Sequence, residues 1–294
     1  MKIGYACINL SLSCRSSRTF RLKSYSAGMM EKTVGGNLSC LGEQLRYNLE
    51  HDISYFRISS DLVPFASHPI CDYPWQRVFK GEFKAIGDLI REHSTRVTMH
   101  PDQFILINSL DEGIHERSVA ELFYHAEVLD LMGLDTSHKV QIHVGGAYGD
   151  KEASLARFTA RYKKLPAKVK RRLVVENDER SYGLADCLAV NGECGVPVVF
   201  DTLHHSANNR GEKTRKAVSL AGSTWGEKDG PPMVDYSSQK KGSRPGAHAY
   251  ALDPDDFRSF LTASRGLDFD VMLEVKNKER SALEAIFIQR ALGF

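Results

Sequence analysis

The chain has 294 residues, 42% hydrophobic and 26% charged, with a formal net charge of +2 at pH 7. These are ordinary values for a globular protein, enough chain for one large α/β domain or two smaller ones, and no apolar run approaches the roughly 20 residues of a membrane span. So small a net charge does not demand an acidic partner, although local basic patches can still meet nucleic acid.

Taken in order, the chain repeats one unit. It opens on the apolar run "KIGYACIN" (2–9), which polar residues interrupt too often for a signal h-region. Helical spacing follows at 37–52, where Leu38, Leu41, Leu45 and Leu49 recur three and four apart and mark one face. Next come "ISYFRISS" (53–60) with helix 76–93, "RVTMHP" (96–101) with helix 115–132, and "KVQIHVGG" (139–146) with helix 152–164. "RLVVEND" (172–178) precedes helix 182–193 and "VPVVFDT" (196–202) precedes 212–221. "PMVDYSS" (232–238) precedes 254–263, and "FDVMLEVK" (269–276) precedes 279–292. The runs are apolar continuously rather than alternately, as in parallel strands covered on both faces. Eight β-then-α units in a chain of this length predict one domain over residues 1–294, a (β/α)8 TIM barrel. An open doubly wound sheet is the alternative, but the first turn, "CINLSLSCRSS", has none of the glycines which that fold uses there.

Six cysteines (Cys7, Cys14, Cys40, Cys71, Cys187, Cys194) are scattered with no C-x-x-C pair. The spacing predicts buried free thiols in a reducing cytosol, not a cysteine zinc site or a disulfide framework. The expected location is cytoplasmic.

In a TIM barrel the site is built at the C-terminal ends of the strands. Those ends read Asn9, Ser59, His100, His143, Glu176, Asp201 with His204, Asp235 and Glu274, and loops on the same face add His68 and His248. A lone core histidine is more often a hydrogen-bonded structural group, and that reading is kept for His51, His93, His115, His125 and His138. Buried carboxylates at Glu176, Asp201, Asp235 and Glu274 would repel one another without cations, so the strand ends predict bound metal. Mixed imidazole and carboxylate ligands suit Mn²⁺ or Zn²⁺, and their number exceeds the needs of one ion. Glu176, central in the barrel order, is placed to bridge two ions. A cluster of two or three ions can activate water and stabilise both oxygens of an in-line phosphoryl displacement. No P-loop, G-x-S-x-G or Cys/His nucleophile pattern competes with this reading.

With these residues in view, the sequence resembles the UV damage endonucleases, barrel nucleases related in fold to endonuclease IV. The resemblance rests on "GYACIN" (4–9), "FRISSDLVPFASHP" (56–69), "MHPDQF" (99–104), "IHVGGAYGDK" (142–151), "ENDER" (176–180), "DTLHH" (201–205), "RPGAHAY" (244–250) and "EVKNKE" (274–279). It implies nicking of damaged double-stranded DNA on the 5′ side of ultraviolet photoproducts, leaving a 3′-hydroxyl and a 5′-phosphate, with action at abasic sites in some members. It also implies a manganese cluster of up to three ions, with Mg²⁺ or Zn²⁺ as other candidates. By motif, His100 and His143 would hold one ion, Glu176 would bridge to a second held by Asp201 and Glu274, and His204 and His248 would hold a third. His68 matches a histidine close to the cluster and, with Glu176, is the catalytic candidate. No organic cofactor, no membrane and a monomeric enzyme are expected. One strand departs from the pattern: where family members often carry a carboxylated Lys and a metal-binding His, this chain has Met233 and Asp235. Met cannot supply carbamate oxygens, and Asp235 would bind metal as an anion.

The densest basic cluster, "RYKKLPAKVKRR" (161–172), leads into a strand and belongs to the opposite face, where it reads as a solvated surface. Arg15, Arg18, Arg21 and Lys23 follow the first strand, and Lys240, Lys241 and Arg244 the seventh, so these rim the site and can neutralise phosphates. Gln103 and Phe104 follow His100, and an amide beside an aromatic suits filling a gap in a base stack. Tyr5 and Asn9 are similar to family residues near the damaged nucleotides. Two competing readings are a metal-dependent sugar isomerase on the same barrel, which needs a closed pocket, and a silent metal-binding module, which the surplus of ligands disfavours.

Overall fold

The computed structural model describes all 294 residues. Eight parallel strands close into a barrel in sequence order: β1 (Ile3–Ala6), β2 (Tyr55–Ile58), β3 (Arg96–Met99), β4 (Val140–His143), β5 (Leu173–Glu176), β6 (Val198–Asp201), β7 (Met233–Tyr236) and β8 (Asp270–Leu273). Pairing of Ile3 with Val271 closes the ring between β1 and β8. The helices are α1 (Ala27–Glu50), α2 (Trp75–Val78), α3 (Lys80–Glu92), α4 (Glu112–Leu131), α5 (Lys151–Lys164), α6 (Ala167–Lys170), α7 (Leu184–Cys194), α8 (Thr202–Ala207), α9 (Thr214–Gly222), α10 (Pro254–Ala263) and α11 (Glu279–Ala291). The predicted (β/α)8 TIM barrel is therefore the fold.

Most differences from the expected elements lie at their edges. Helix α1 begins ten residues before the predicted start, because Met30 and Val34 extend the buried stripe of Leu38, Leu41 and Leu45 across the helix-weakening pair Gly35–Gly36. Ser26 caps its start by accepting a hydrogen bond from the Met29 amide. The segment 76–93 divides at Phe79 into α2 and α3.

The cysteines bring a correction. Cys14, in the loop after β1, and Cys40, on α1, form a disulfide, so these two are not the free thiols expected from their spacing. A separation of 26 residues gives no local signal; only the packing of the loop on α1 brings the pair together. Of the other four, Cys187 is fully buried and Cys7, Cys71 and Cys194 are half-buried.

Two apolar layers hold the molecule. Sixty buried residues pack mainly between the barrel and its helices, and a small inner cluster of Ala6, Tyr55, Val174, Val199, Met233 and Met272 fills the barrel itself. Side chains two apart on each strand share the inner face, so a column rises from this apolar plug to the mouth. Above Tyr55 stands Arg57, above Val174 Glu176, above Val199 Asp201, above Met233 Asp235 and above Met272 Glu274. Below the plug, Arg96 pairs with Asp270 at 2.9 Å and Lys139 with Asp229 at 2.5 Å. The plug separates these lower ion pairs from the polar mouth. No helix is long and apolar enough to cross a membrane.

Candidate metal centre

The C-terminal mouth gathers three overlapping sets of ligand atoms, each set within 4.8 Å: His100, His143 and Glu176; Glu176, Asp201 and His204; Asp201, Asp235 and Glu274. Glu176 is common to the first two. Its carboxylate lies 3.4 Å from His100 Nε2, 3.7 Å from His143 Nε2 and 3.1 Å from His204 Nδ1. His204 is not at a strand end but on α8, whose first turn Asp201 caps by accepting from the His204 amide at 2.6 Å. That cap is what brings Asp201 and His204 side by side.

The imidazoles are held in one orientation. Backbone carbonyls accept from Nδ1 of His100 (Pro101, 2.8 Å), His204 (Asn177, 3.0 Å) and His248 (Glu274, 2.8 Å). A ring that donates through Nδ1 presents the lone pair of Nε2, the arrangement usual for a metal ligand. Burial lowers the pKa of His143.

The electrostatics call for added positive charge. Asp201 is fully buried, its Oδ2 has no hydrogen-bond partner, and burial pushes its carboxyl well above the usual carboxylate range. Burial acts on Glu176 too, but His143, His100 and His204 hold it well below that range. Its Oε1 still receives no hydrogen bond, because the His204 Nδ1 proton goes to Asn177. Against burial, Asp201 and Glu176 push the metal-free His204 up to about 11, and two orphaned carboxylate oxygens among three imidazoles make a donor set that fits divalent ions.

Two residues outside the strand-end pattern sit among these ligands. Arg57, on β2 and 3% exposed, donates to Glu274 and, through Nη2, to both oxygens of Asp235 at 3.0 and 2.8 Å. Gln141, on β4, donates through Nε2 to Glu176 and to Asp235, both at 2.6 Å. Burial and then Arg57 set the neighbouring pKa values: Asp235 is pushed up to about 7 in spite of the guanidinium, whereas in Glu274 Arg57 together with His100 and His248 outweighs burial and holds about 2. The inner-face parity was the available signal, since Arg57 stands two residues before Ser59 and Gln141 two before His143.

The other candidates are spread more widely. His248 lies beside the centre, its ring 6.1 Å from that of His204, but no ligand set includes it. His68 is exposed in the loop after β2, accepts from the Ile70 amide and also stands outside the three sets. Tyr5 and Asn9, expected near the damaged nucleotides, lie beneath the surface of the β1 loop. Both are fully buried: Tyr5 donates to Asn48 and accepts from Asn9, whose Oδ1 accepts from the Ser11 and Leu12 amides. They brace the β1 loop and offer no surface. Met233, in the inner plug, is also buried.

Gln103 and Phe104 project at the mouth, Phe104 with 71% of its surface exposed. The His100–Gln103 stretch forms a ridge between two clefts, one of about 420 Å³ that includes His143 and Tyr148, the other of about 490 Å³ that includes Arg57 and Glu274. Four of the six non-glycine residues with positive φ (Cys7, Phe65, Tyr148 and Lys278) lie in loops on this face, where backbone strain often marks functional sites. Gly145, in the "HVGG" turn after β4, has φ +113°, and an added Cβ would fall 2.3 Å from Asn108 Oδ1.

Among the basic residues, Arg18, Arg21, Lys23, Lys240, Lys241 and Arg244 are exposed on the rim, while Arg15 turns back to the Asn9 and Cys14 carbonyls. In the 161–172 cluster Lys163, Lys164 and Arg171 are exposed, as a solvated surface requires. Arg172 is buried and pairs with Asp130 at 2.6 Å, and Arg161 pairs with Glu112 at 2.6 Å.

A family model described as UV-endonuclease UvdE matches residues 1–289. A UV DNA damage endonuclease of Clostridium perfringens is 36% identical over 288 residues, covering 97% of this chain and 70% of that protein. Another, of Bacillus cereus, is 34% identical over 296 residues, covering 97% and 93%. The crystal structure of SacUVDE superposes with a TM-score of 0.95 at 42% identity, covering 99% of each chain. A D-psicose 3-epimerase from Clostridium cellulolyticum shares only the fold, at TM-score 0.56 and 12% identity over 85% of this chain and 92% of its own, so the sugar-isomerase alternative gains no support. The match along nearly the whole chain, on a barrel whose mouth gathers acidic and imidazole ligands, means that this protein belongs to the UV damage endonuclease family and is a DNA repair endonuclease.

Proposed function

We propose that this protein nicks duplex DNA immediately 5′ to ultraviolet photoproducts, and also acts at abasic sites, in a reaction that requires divalent metal, with Mn²⁺ the expected ion. The observation that carries the metal dependence is the pair of ligand sets sharing Glu176, with orphaned oxygens on Glu176 and Asp201. His100, His143 and Glu176 would hold one ion; Glu176, Asp201 and His204 a second; Glu274 and His248 border them. When bound, such ions lower the pKa of water and stabilise the attacking and leaving oxygens of phosphoryl transfer.

The chain's own residues do the rest. Glu176 fixes the separation of the two seats, and the carbonyls on Nδ1 of His100 and His204 fix the ring tautomers. Arg18, Arg21, Lys23, Lys240, Lys241 and Arg244 neutralise backbone phosphates around the mouth. Gln103 and Phe104 enter the duplex at the lesion, the exposed ring replacing stacking that the photoproduct has lost. His68, exposed in its loop, would reach the reacting phosphate only if that loop closes over bound DNA.

The test is direct. Purified protein with Mn²⁺ should nick irradiated duplex and leave unirradiated duplex intact, with loss of nicking in EDTA. A polymerase should extend the new 3′ end without pretreatment and a ligase should accept the 5′ end. Equal nicking of both duplexes would refute the lesion reading. Activity undiminished in EDTA would refute the metal reading.

A further inference from the structure

We propose that Arg57 takes the place of a metal ion at the third ligand set, so that Asp235 and Glu274 are neutralised by an internal guanidinium. The inference rests on the metal reading of the first two sets and concerns only the third. Of the orphaned oxygens, Glu176 Oε1 belongs to the first two sets only, and Asp201 Oδ2 to the second and third. Asp235 is different: both its oxygens are occupied.

The geometry leaves little of Asp235 for an ion to coordinate. Arg57 Nη2 lies 3.0 Å from Asp235 Oδ1 and 2.8 Å from Oδ2, and Nη1 donates to Glu274 Oε1. Gln141 Nε2 fills the second acceptor direction of Asp235 Oδ2 at 2.6 Å. The same Arg57 Nη2 donates to Gln141 Oε1 at 3.1 Å, so arginine, glutamine and aspartate form a closed ring across β2, β4 and β7. Arg57 and Asp235 are 3% and 0% exposed, so neither can turn out to water without opening the barrel mouth. A dication at Asp235 and Glu274 would stand where the guanidinium nitrogens stand.

Charge points the same way. Glu176, Asp201, Asp235 and Glu274 carry four negative charges, against which Arg57 and two divalent ions supply five. The single positive charge left over matches one phosphodiester. A third dication beside Arg57 would leave three positive charges packed in one buried site.

The test counts and locates ions in the full-length protein without DNA. Manganese per chain is measured by elemental analysis after equilibration with MnCl₂, and positions are read from anomalous diffraction at the manganese edge. In the wild type we expect ions at the two sets that share Glu176 and none within ligand distance of Asp235. Arg57→Gln should bind one ion more than the wild type, and the added ion should lie on Asp235 and Glu274. If Arg57→Gln fails to fold without metal, Arg57→Gln/Asp235→Asn should fold and return to the wild-type count. An ion coordinated by Asp235 in the wild type, or an Arg57→Gln protein that folds and gains none, overturns the inference. A wild type that binds no manganese at all overturns the metal reading beneath it as well, which separates the two failures.

Discussion

Replacing Glu176 by Gln keeps size and shape but removes the negative charge that the first two ligand sets share. Loss of a group that only orients a ligand typically costs 10- to 100-fold in metal affinity, so loss of the shared ligand itself should cost about 100-fold or more at each seat. In the wild type, Mn²⁺ at about 100 times its dissociation constant contributes about 2.7 kcal/mol per seat, or about 5 kcal/mol for two. A barrel of 294 residues unfolds with an entropy of about 0.6 kcal/mol/K, so the metal should raise the wild-type melting temperature by about 9 °C. At the same Mn²⁺ concentration the variant's seats would be half filled, each contributing about 0.4 kcal/mol, and the rise should shrink to about 1 °C. Thermal unfolding with and without MnCl₂ reads this difference, and a nicking assay on irradiated plasmid should show at least about a 100-fold loss. A variant that keeps the full manganese-induced rise would refute the bridging role of Glu176, whatever its activity.

Other outcomes follow from the same geometry. Asp235 has its carboxyl pushed up to about 7 in the metal-free fold, above the usual ~3.9, so its contribution to stability is complete below about pH 4 and is lost as pH rises through 7. In EDTA, Asp235→Asn should flatten the fall in stability between pH 4 and 7, and identical slopes in the two proteins would contradict this. Gln103→Ala/Phe104→Ala should weaken binding to irradiated duplex by about 10- to 100-fold while undamaged duplex changes little, because base stacking is worth about 1–3 kcal/mol; an unchanged preference for irradiated DNA would remove the pair from lesion recognition. Lys240→Ala/Lys241→Ala/Arg244→Ala should lower affinity for damaged and undamaged duplex alike, and flatten the dependence of log affinity on log salt by about 0.9 for each phosphate that is no longer neutralised. An unchanged salt slope would place this rim off the DNA path.

Much of the site was legible because strands and helices report their periods locally. The ends of β3, β4, β5 and β6 could be read to within a residue, and His100, His143, Glu176 and Asp201 stand there. His204 was found as a neighbour of Asp201, although its position depends on the cap that starts α8. Arg57 and Gln141 were not legible in this way, because each stands before the last residue of its run. An inward residue two places earlier faces the same cavity, but only a closed barrel brings β2, β4 and β7 around one point. The burial of Tyr5 and Asn9 was not legible for a similar reason: it comes from α1 and the β1 loop folding over them, which no local pattern announces.

By itself, the sequence determined the eightfold alternation, the barrel, the face that carries the candidate site and most of the residues gathered there. These follow from short-range rules, in which side-chain period and strand polarity are written into neighbouring residues. The tertiary structure alone decided how the charges are balanced. Counting carboxylates along the chain predicted repulsion that metal must relieve, yet part of that relief comes from Arg57, 178 residues from Asp235 and 217 from Glu274 in sequence. The same holds for the bond between Cys14 and Cys40. Coulomb energy and covalent pairing depend on distance in space, and chain closure sets that distance.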